Sequence, residues 1–173
     1  MNDHDLLHLR RCLELAAEAV ERGDQPFGSV LVSGDGTVLA ERRNQIVTTG
    51  DLTAHPELAL AGWASPHLDA AQRGAATMYT SGEHCTMCAA AHVRVGIGRL
   101  VYVLSAPMIA ELAKPDVMIN LRATDIAAAS NFGIVIEGPC DELVPEATAL
   151  FHRWRGPHRA ASAGSTIQFE SRI

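Results

Sequence analysis

Leu6, Leu9, Leu13, Ala16 and Val20 recur at three- and four-residue intervals, and Gly23 stands where a helix carrying them would stop. The spacing predicts an amphipathic helix over residues 4 to 22. The period then changes: Ser29 to Val32, Gly34-Asp35-Gly36 and Thr37 to Arg43 read as two strands joined by a tight turn whose glycines tolerate positive φ. After a polar loop from Gln45 to Thr53, the run His55-Pro56-Glu57-Leu58-Ala59-Leu60-Ala61 opens a second helix, with proline in a first turn that accepts one. Thr77 to Thr80 forms a third strand, Ser81-Gly82 a break, and Thr86 to Val95 a third helix ended by Gly96 and Gly98. Leu100 to Leu104 and Ile134 to Ile136 are the fourth and fifth strands, with helical pieces around 107 to 113 and 122 to 129 in a parallel crossover between them. The last helix spans about Asp141 to Trp154, and the stretch after Gly156 has the small, polar composition of a loose tail. No repeat or linker divides this order. The expectation is one α/β domain over residues 1–156, three-layered, with a mixed five-stranded sheet and helices on both faces, and a tail over 157–173.

The length of 173 residues suffices for a core without disulfides. A net charge of -6 repels phosphate at long range and argues against coating nucleic acid through a basic face. Its uncharged apolar runs all fall short of the roughly 18 residues of a membrane span; the stretch from Leu100 to Ala110 already contains Pro107. The start, MNDHDLLHLRR, has neither a basic leader nor a small-residue cleavage site, so a cytoplasmic location is expected. Four cysteines in such a chain call for another explanation than a disulfide framework. Cys12 and Cys140 lie alone on apolar patterns, as core thiols do, while Cys85 and Cys88 have the spacing of metal or redox ligands.

His55-Pro56-Glu57 opens the second helix and Cys85-Thr86-Met87-Cys88 the third. Two cysteines three apart share a helix face, and the positive end of the helix dipole favours the thiolates a metal needs. With His55 they make three soft or borderline ligands, the set expected for zinc, and a fourth tetrahedral position is left for water as in catalytic sites. Glu57, two residues from His55, can reach that water without being a ligand and carry its proton to a ring nitrogen and then to a leaving amine. That chemistry is hydrolytic deamination. A Cys-x-x-Cys alone also fits structural zinc or a redox pair, but no second Cys pair closes a structural site, and a redox role leaves His55 and Glu57 unused. A module that binds zinc without turnover is the non-enzymatic alternative.

These motifs resemble the zinc-dependent cytidine deaminase superfamily, which carries a His-x-Glu and a Pro-Cys-x-x-Cys signature. The order of elements over residues 4 to 105 is similar to the cytidine deaminase-like fold. Gln25-Pro26-Phe27-Gly28, the turn from Glu41 to Asn44, and Asp51 to His55 look most like bacterial guanine deaminases and tRNA adenosine deaminases. The resemblance implies that Asn44 hydrogen-bonds the target base, Phe27 lines its pocket, the Ala54 backbone reads a base edge, Glu83 fixes a loop, and the chain assembles as a homodimer, which the Ala89-Ala90-Ala91 face could support. Two positions depart from the pattern. Pro56 replaces the usual Ala or Val, and His84 replaces the usual Pro before the first cysteine, adding a polar group at the pocket rim that bears on substrate preference. The favoured substrate is a small base or nucleoside, an aminopurine such as guanine ahead of a cytosine-type base. tRNA adenosine is the alternative, for which Arg153-Trp154-Arg155 with His158 and Arg159 is the candidate contact; its simpler explanation is favourable charge at a helix end. Trp63 and His92 sit at helical spacings that fit core packing.

Overall fold

The computed structural model describes residues 1–115, 117 and 119–161, with 157–161 as backbone. Helix α1 (Asp3–Glu21) starts at Asn2, whose side chain accepts the Asp5 N–H at 3.0 Å while the Asn2 N–H donates to the Asp5 carboxylate at 2.8 Å. Strands β1 (Gly28–Val32) and β2 (Val38–Arg43) form the antiparallel hairpin. The short helices α2 (Ile46–Thr49) and α4 (Ala70–Ala75) flank α3 (Pro56–His67). Then come β3 (Thr77–Gly82), α5 (Thr86–Val95), β4 (Arg99–Leu104), α6 (Ala106–Ala113), α7 (Ala123–Ala128), β5 (Val135–Glu137) and α8 (Val144–Ala161). The sheet order is β2-β1-β3-β4-β5, antiparallel as far as β3 and parallel from β3 to β5.

Strand alternation divides the interior into two faces. Val30, Val32, Tyr79, Val101 and Val103 point to the side covered by Leu9 and Leu13 of α1 and Leu150 and Phe151 of α8. Leu31 and Met78 point the other way, onto Leu60, Ala61 and Ala64 of α3. Leu100 and Tyr102 meet Ala89 of α5 and Ala123 of α7. The expected three-layer α/β architecture is therefore present. Gly28 makes the first contact possible: a Cβ there would lie 2.4 Å from the Cys12 carbonyl oxygen and 2.5 Å from Leu15 Cβ, so α1 lies directly on β1.

The differences from expectation are local. Ser81 and Gly82 continue β3 instead of breaking it, because Gly82 still pairs with Leu104. Helix α2 lies in the stretch expected as loop, and α4, opened by an Asp69–Gln72 capping box, has too weak an apolar period to be seen. α8 runs through Gly156 to Ala161, past the helix end expected at Trp154. An interior glycine costs a helix about 1 kcal/mol, which the docked Leu150 and Phe151 of the same helix offset. Of the tail expected over 157–173, residues 162–173 lie outside the described residues. No helix among the described residues is long and apolar enough to cross a membrane.

Candidate active site

His55 and Cys85 are both N-cap residues in extended backbone, the first before α3 and the second before α5, and neither side chain caps its own helix. Since α3 and α5 pack together on one face of the sheet, the two helix starts converge. Cys88, one turn into α5, completes the cluster. His55 Nδ1 lies 3.7 Å from Cys85 Sγ and 3.5 Å from Cys88 Sγ, and the three donor atoms lie within 4.8 Å of one another. A tetrahedral zinc ion holds N and S ligands about 3.5–3.8 Å apart, so the residues fit such an ion. The Cys85 thiol is pulled down to about 4 by the Cys88 thiol and then by the His55 imidazole, against the effect of burial, so it is a ready thiolate ligand. Contact with Cys85 raises the pKa of His55.

Glu57 follows in the first turn of α3 and is buried. Burial pushes its carboxyl pKa up, against the pull of His55. Its Oε1 accepts the Thr80 hydroxyl at 3.1 Å, Thr80 Oγ1 in turn accepts from Ser29 at 2.9 Å, and Oε2 lies 3.7 Å from Cys88 Sγ. Thr80 and Ser29 carry no motif; strand alternation alone would have turned them inward, without revealing the carboxylate they hold.

A cavity of about 650 Å³ opens beside these groups. His55, Glu57, His84 and Cys85 are among its lining residues, with Phe27, Ile46 and Ile109 as apolar walls. Phe27 also packs edge-on against Phe151, with centroids 5.5 Å apart, so it joins the cavity to the core. Gly82 leaves the room for this wall, since a Cβ there would come within 2.7 Å of Ile109 and 3.0 Å of Phe27. Leu52, Val117, Ile119 and Leu121 line the same cavity from exposed positions.

The remaining expected residues fall differently. Asn44 is buried beyond the cavity lining; its Oδ1 accepts the Ile46 N–H at 3.1 Å, and its Nδ2 has no partner among the described residues. Ala54 is not a lining residue either, because its N–H and carbonyl are engaged by Asp51 and Gln45 in the loop before α3. His84 is not at a solvent-facing rim: it is 1% exposed, with Nε2 3.2 Å from His92 Nδ1. Glu83 fixes a loop, accepting the N–H groups of Ala106 at 2.8 Å and Ala123 at 3.1 Å and pairing with Arg122. Cys12 and Cys140 are buried core thiols, and Trp63 packs against the α3 core and stacks on His67. Ala89 is buried and Ala91 packs against the core beneath α3, leaving only Ala90 of that stretch exposed. In the basic cluster Arg155 donates to the Leu112 carbonyl and Trp154 packs against the α1–α8 core. The side chains of His158 and Arg159 lie outside the described residues.

The sequence matches a family model described as MafB19-like deaminase over residues 2–129. A probable cytosine deaminase of Schizosaccharomyces pombe is 31% identical over 144 residues, covering 80% of this chain and 86% of that protein. The guanine deaminase of Bacillus subtilis is 42% identical over 81 residues, 46% of this chain and 51% of that protein, so the match spans about half of each. A solved structure from a study of A-to-I editing by tRNA:A34 deaminases superposes with a TM-score of 0.66 at 27% identity, over 84% of this chain and 99% of that one.

Proposed function

The chain belongs to the MafB19-like deaminase family, and from that premise we propose that it is a zinc-dependent hydrolytic deaminase of a small nucleobase or nucleoside, with an aminopurine such as guanine favoured. The observation that carries the reading is Glu57, a buried carboxylate beside the His55, Cys85 and Cys88 donors and lining one cavity with His55 and Cys85. In this reading His55, Cys85 and Cys88 hold the zinc. When bound, zinc supplies a Lewis acid that lowers the pKa of water toward neutrality.

Glu57 does the proton work. Overall, water adds at the carbon bearing the amine, the carbon–nitrogen bond breaks, and the products are the oxo base and ammonia. Glu57 takes one proton from the attacking water and gives it to the ring nitrogen, then takes the second from the newly added hydroxyl and gives it to the departing amine. Its raised pKa suits a group that must both take and return a proton, and the Thr80 hydroxyl fixes which oxygen turns to the reacting atoms. Phe27, with Ile46 and Ile109, offers an apolar wall to a flat ring. Asn44 contacts the base through its unpartnered Nδ2, which requires the Asn44–Ile46 turn to admit the base edge, and the Ala54 backbone contributes at the same turn.

A cavity of about 650 Å³ suits a free base or nucleoside. The 42% identity with a guanine deaminase supports the purine reading, and the longer match to a probable cytosine deaminase keeps cytosine in the comparison. The likeness to tRNA:A34 deaminases favours a second reading, deamination of adenosine in tRNA. Against it, Arg122 is the only Lys or Arg among the cavity-lining residues described, and Glu83 already neutralises it. We further propose that the chain forms a homodimer. Ammonia release across guanine, adenine, cytosine, their nucleosides and an anticodon stem-loop RNA tests the reading. Turnover of the RNA alone, abolished when Arg153 and Arg155 become Ala, would replace it with the second.

A further inference from the structure

His84 and His92 form a buried pair that the deamination chemistry does not use. Both are 1% exposed, and their rings meet edge to face with centroids 5.1 Å apart. Two contacts on these two rings decide where their protons sit. His92 Nε2 lies 3.1 Å from the Ile97 carbonyl oxygen, which only accepts, so Nε2 carries the hydrogen. A neutral imidazole with hydrogen on Nε2 has a bare Nδ1, and that Nδ1 is 3.2 Å from His84 Nε2. His84 Nε2 must therefore donate. What remains on His84 is Nδ1, a bare lone pair that is buried and has no donor among the described residues.

His84 lines the cavity together with His55, Glu57 and Cys85, whereas His92 and Ile97 do not. We propose that His84 Nδ1 is the hydrogen-bond acceptor for an N–H of the bound base, which requires the wall over this buried atom to admit the base edge, and that His92, held by the Ile97 carbonyl, is the positioning residue that sets this tautomer. The proposal rests on the reading of the cavity as a deaminase site. Its chemical consequence is selection by edge. A base that turns an amino or lactam N–H toward His84 gains a partner for an otherwise unpartnered acceptor. A base that turns a bare ring nitrogen there sets two lone pairs against each other. A proline at this position would have no side-chain acceptor at all.

Nitrogen-15 NMR of the histidine-labelled protein, as purified with its metal, reads the tautomers without any need for turnover. The expected spectrum has His84 and His92 each protonated at Nε2 and bare at Nδ1, and guanine or cytosine moves the His84 Nδ1 resonance as that atom accepts a hydrogen bond. A proton on His84 Nδ1, or a resonance unmoved by either base, overturns the proposal. Kinetics supply the second arm. His84→Phe should raise KM for the better of the two bases roughly tenfold while kcat changes far less. His84→Asn, whose amide reaches only as far as Nδ1, should restore most of it. His92→Leu should release the His84 tautomer and raise KM similarly, and His92→Asn, which keeps an acceptor at Nδ1, should not. Equal KM in all four variants also overturns it. If no base is turned over, the deaminase reading fails on its own, and the NMR titration still decides whether His84 accepts from a base.

Discussion

Glu57 occupies a place where a carboxylate is ordinarily disfavoured, buried in a cavity wall with the Thr80 hydroxyl on one oxygen and the Cys88 sulfur on the other. Such an environment suits a proton carrier better than a structural charge. Glu57→Gln keeps an acceptor for Thr80 but cannot shuttle protons, so turnover should fall roughly 10²–10⁴-fold while zinc content and thermal midpoint stay near those of the parent. Atomic emission and a melting curve check the second half. Thr80→Val removes the hydroxyl that orients the carboxylate; kcat should fall about tenfold with KM little changed, as steady-state kinetics would show. His92 gives a pH prediction. Burial pushes it down to about 4 from an ordinary value of 6.5, with the Ile97 carbonyl only partly opposing. The folded state then binds fewer protons than the unfolded chain between these values. Stability from this group is complete above about pH 6.5 and is lost as pH falls toward 4, by on the order of 3 kcal/mol. Denaturant melts at successive pH values should show that slope, and His92→Asn should lessen it, leaving the part that the buried His84 contributes.

At the scale of elements, the site is two helix starts brought together by the packing of α3 on α5, and this was legible in the sequence because both starts carry their own signals. Pro56 marks a first turn, and Cys85-x-x-Cys88 follows a strand. The cavity walls were not legible in the same way. α6 and α7 reach the site through Glu83, which satisfies the backbone N–H groups of Ala106 and Ala123 and pairs with Arg122, contacts between residues 23 to 40 positions apart with no local pattern. Glu83→Ala should cost about 1–3 kcal/mol by leaving those N–H groups without their acceptor, and should raise KM by loosening the wall; urea melts and kinetics measure the two effects. His84 shows the same limit. Its position beside Cys85 was evident, but a side chain at a loop end can face water or core, and only the long-range contact with His92 decides it. α8 was placed short because Gly156 looks like a helix end locally, whereas Leu150 and Phe151 anchor the helix through the core.

For the whole molecule, the mixed sheet separates two kinds of work. α1 and α8 close one face with the apolar core, and α3 and α5 use the other to bring His55, Cys85 and Glu57 to a single cavity. The two outermost positions of the Ala89-Ala90-Ala91 stretch serve this protomer's own core, so a homodimer would have to use more of the surface than that stretch. Light scattering at micromolar concentration should give twice the 18.5 kDa chain mass, and a monomer would remove the dimer from the account. The central claim is that His55, Cys85, Cys88 and Glu57 together make a hydrolytic deaminase for a small base. Ammonia release from guanine, adenine and cytosine by the zinc-loaded protein, measured beside Glu57→Gln, tests it most directly. Stoichiometric ammonia and oxo base are expected from at least one of the three, at a rate reduced by about two orders of magnitude or more in Glu57→Gln. Ammonia release undiminished in that variant, or none from any base by the parent protein, would contradict it.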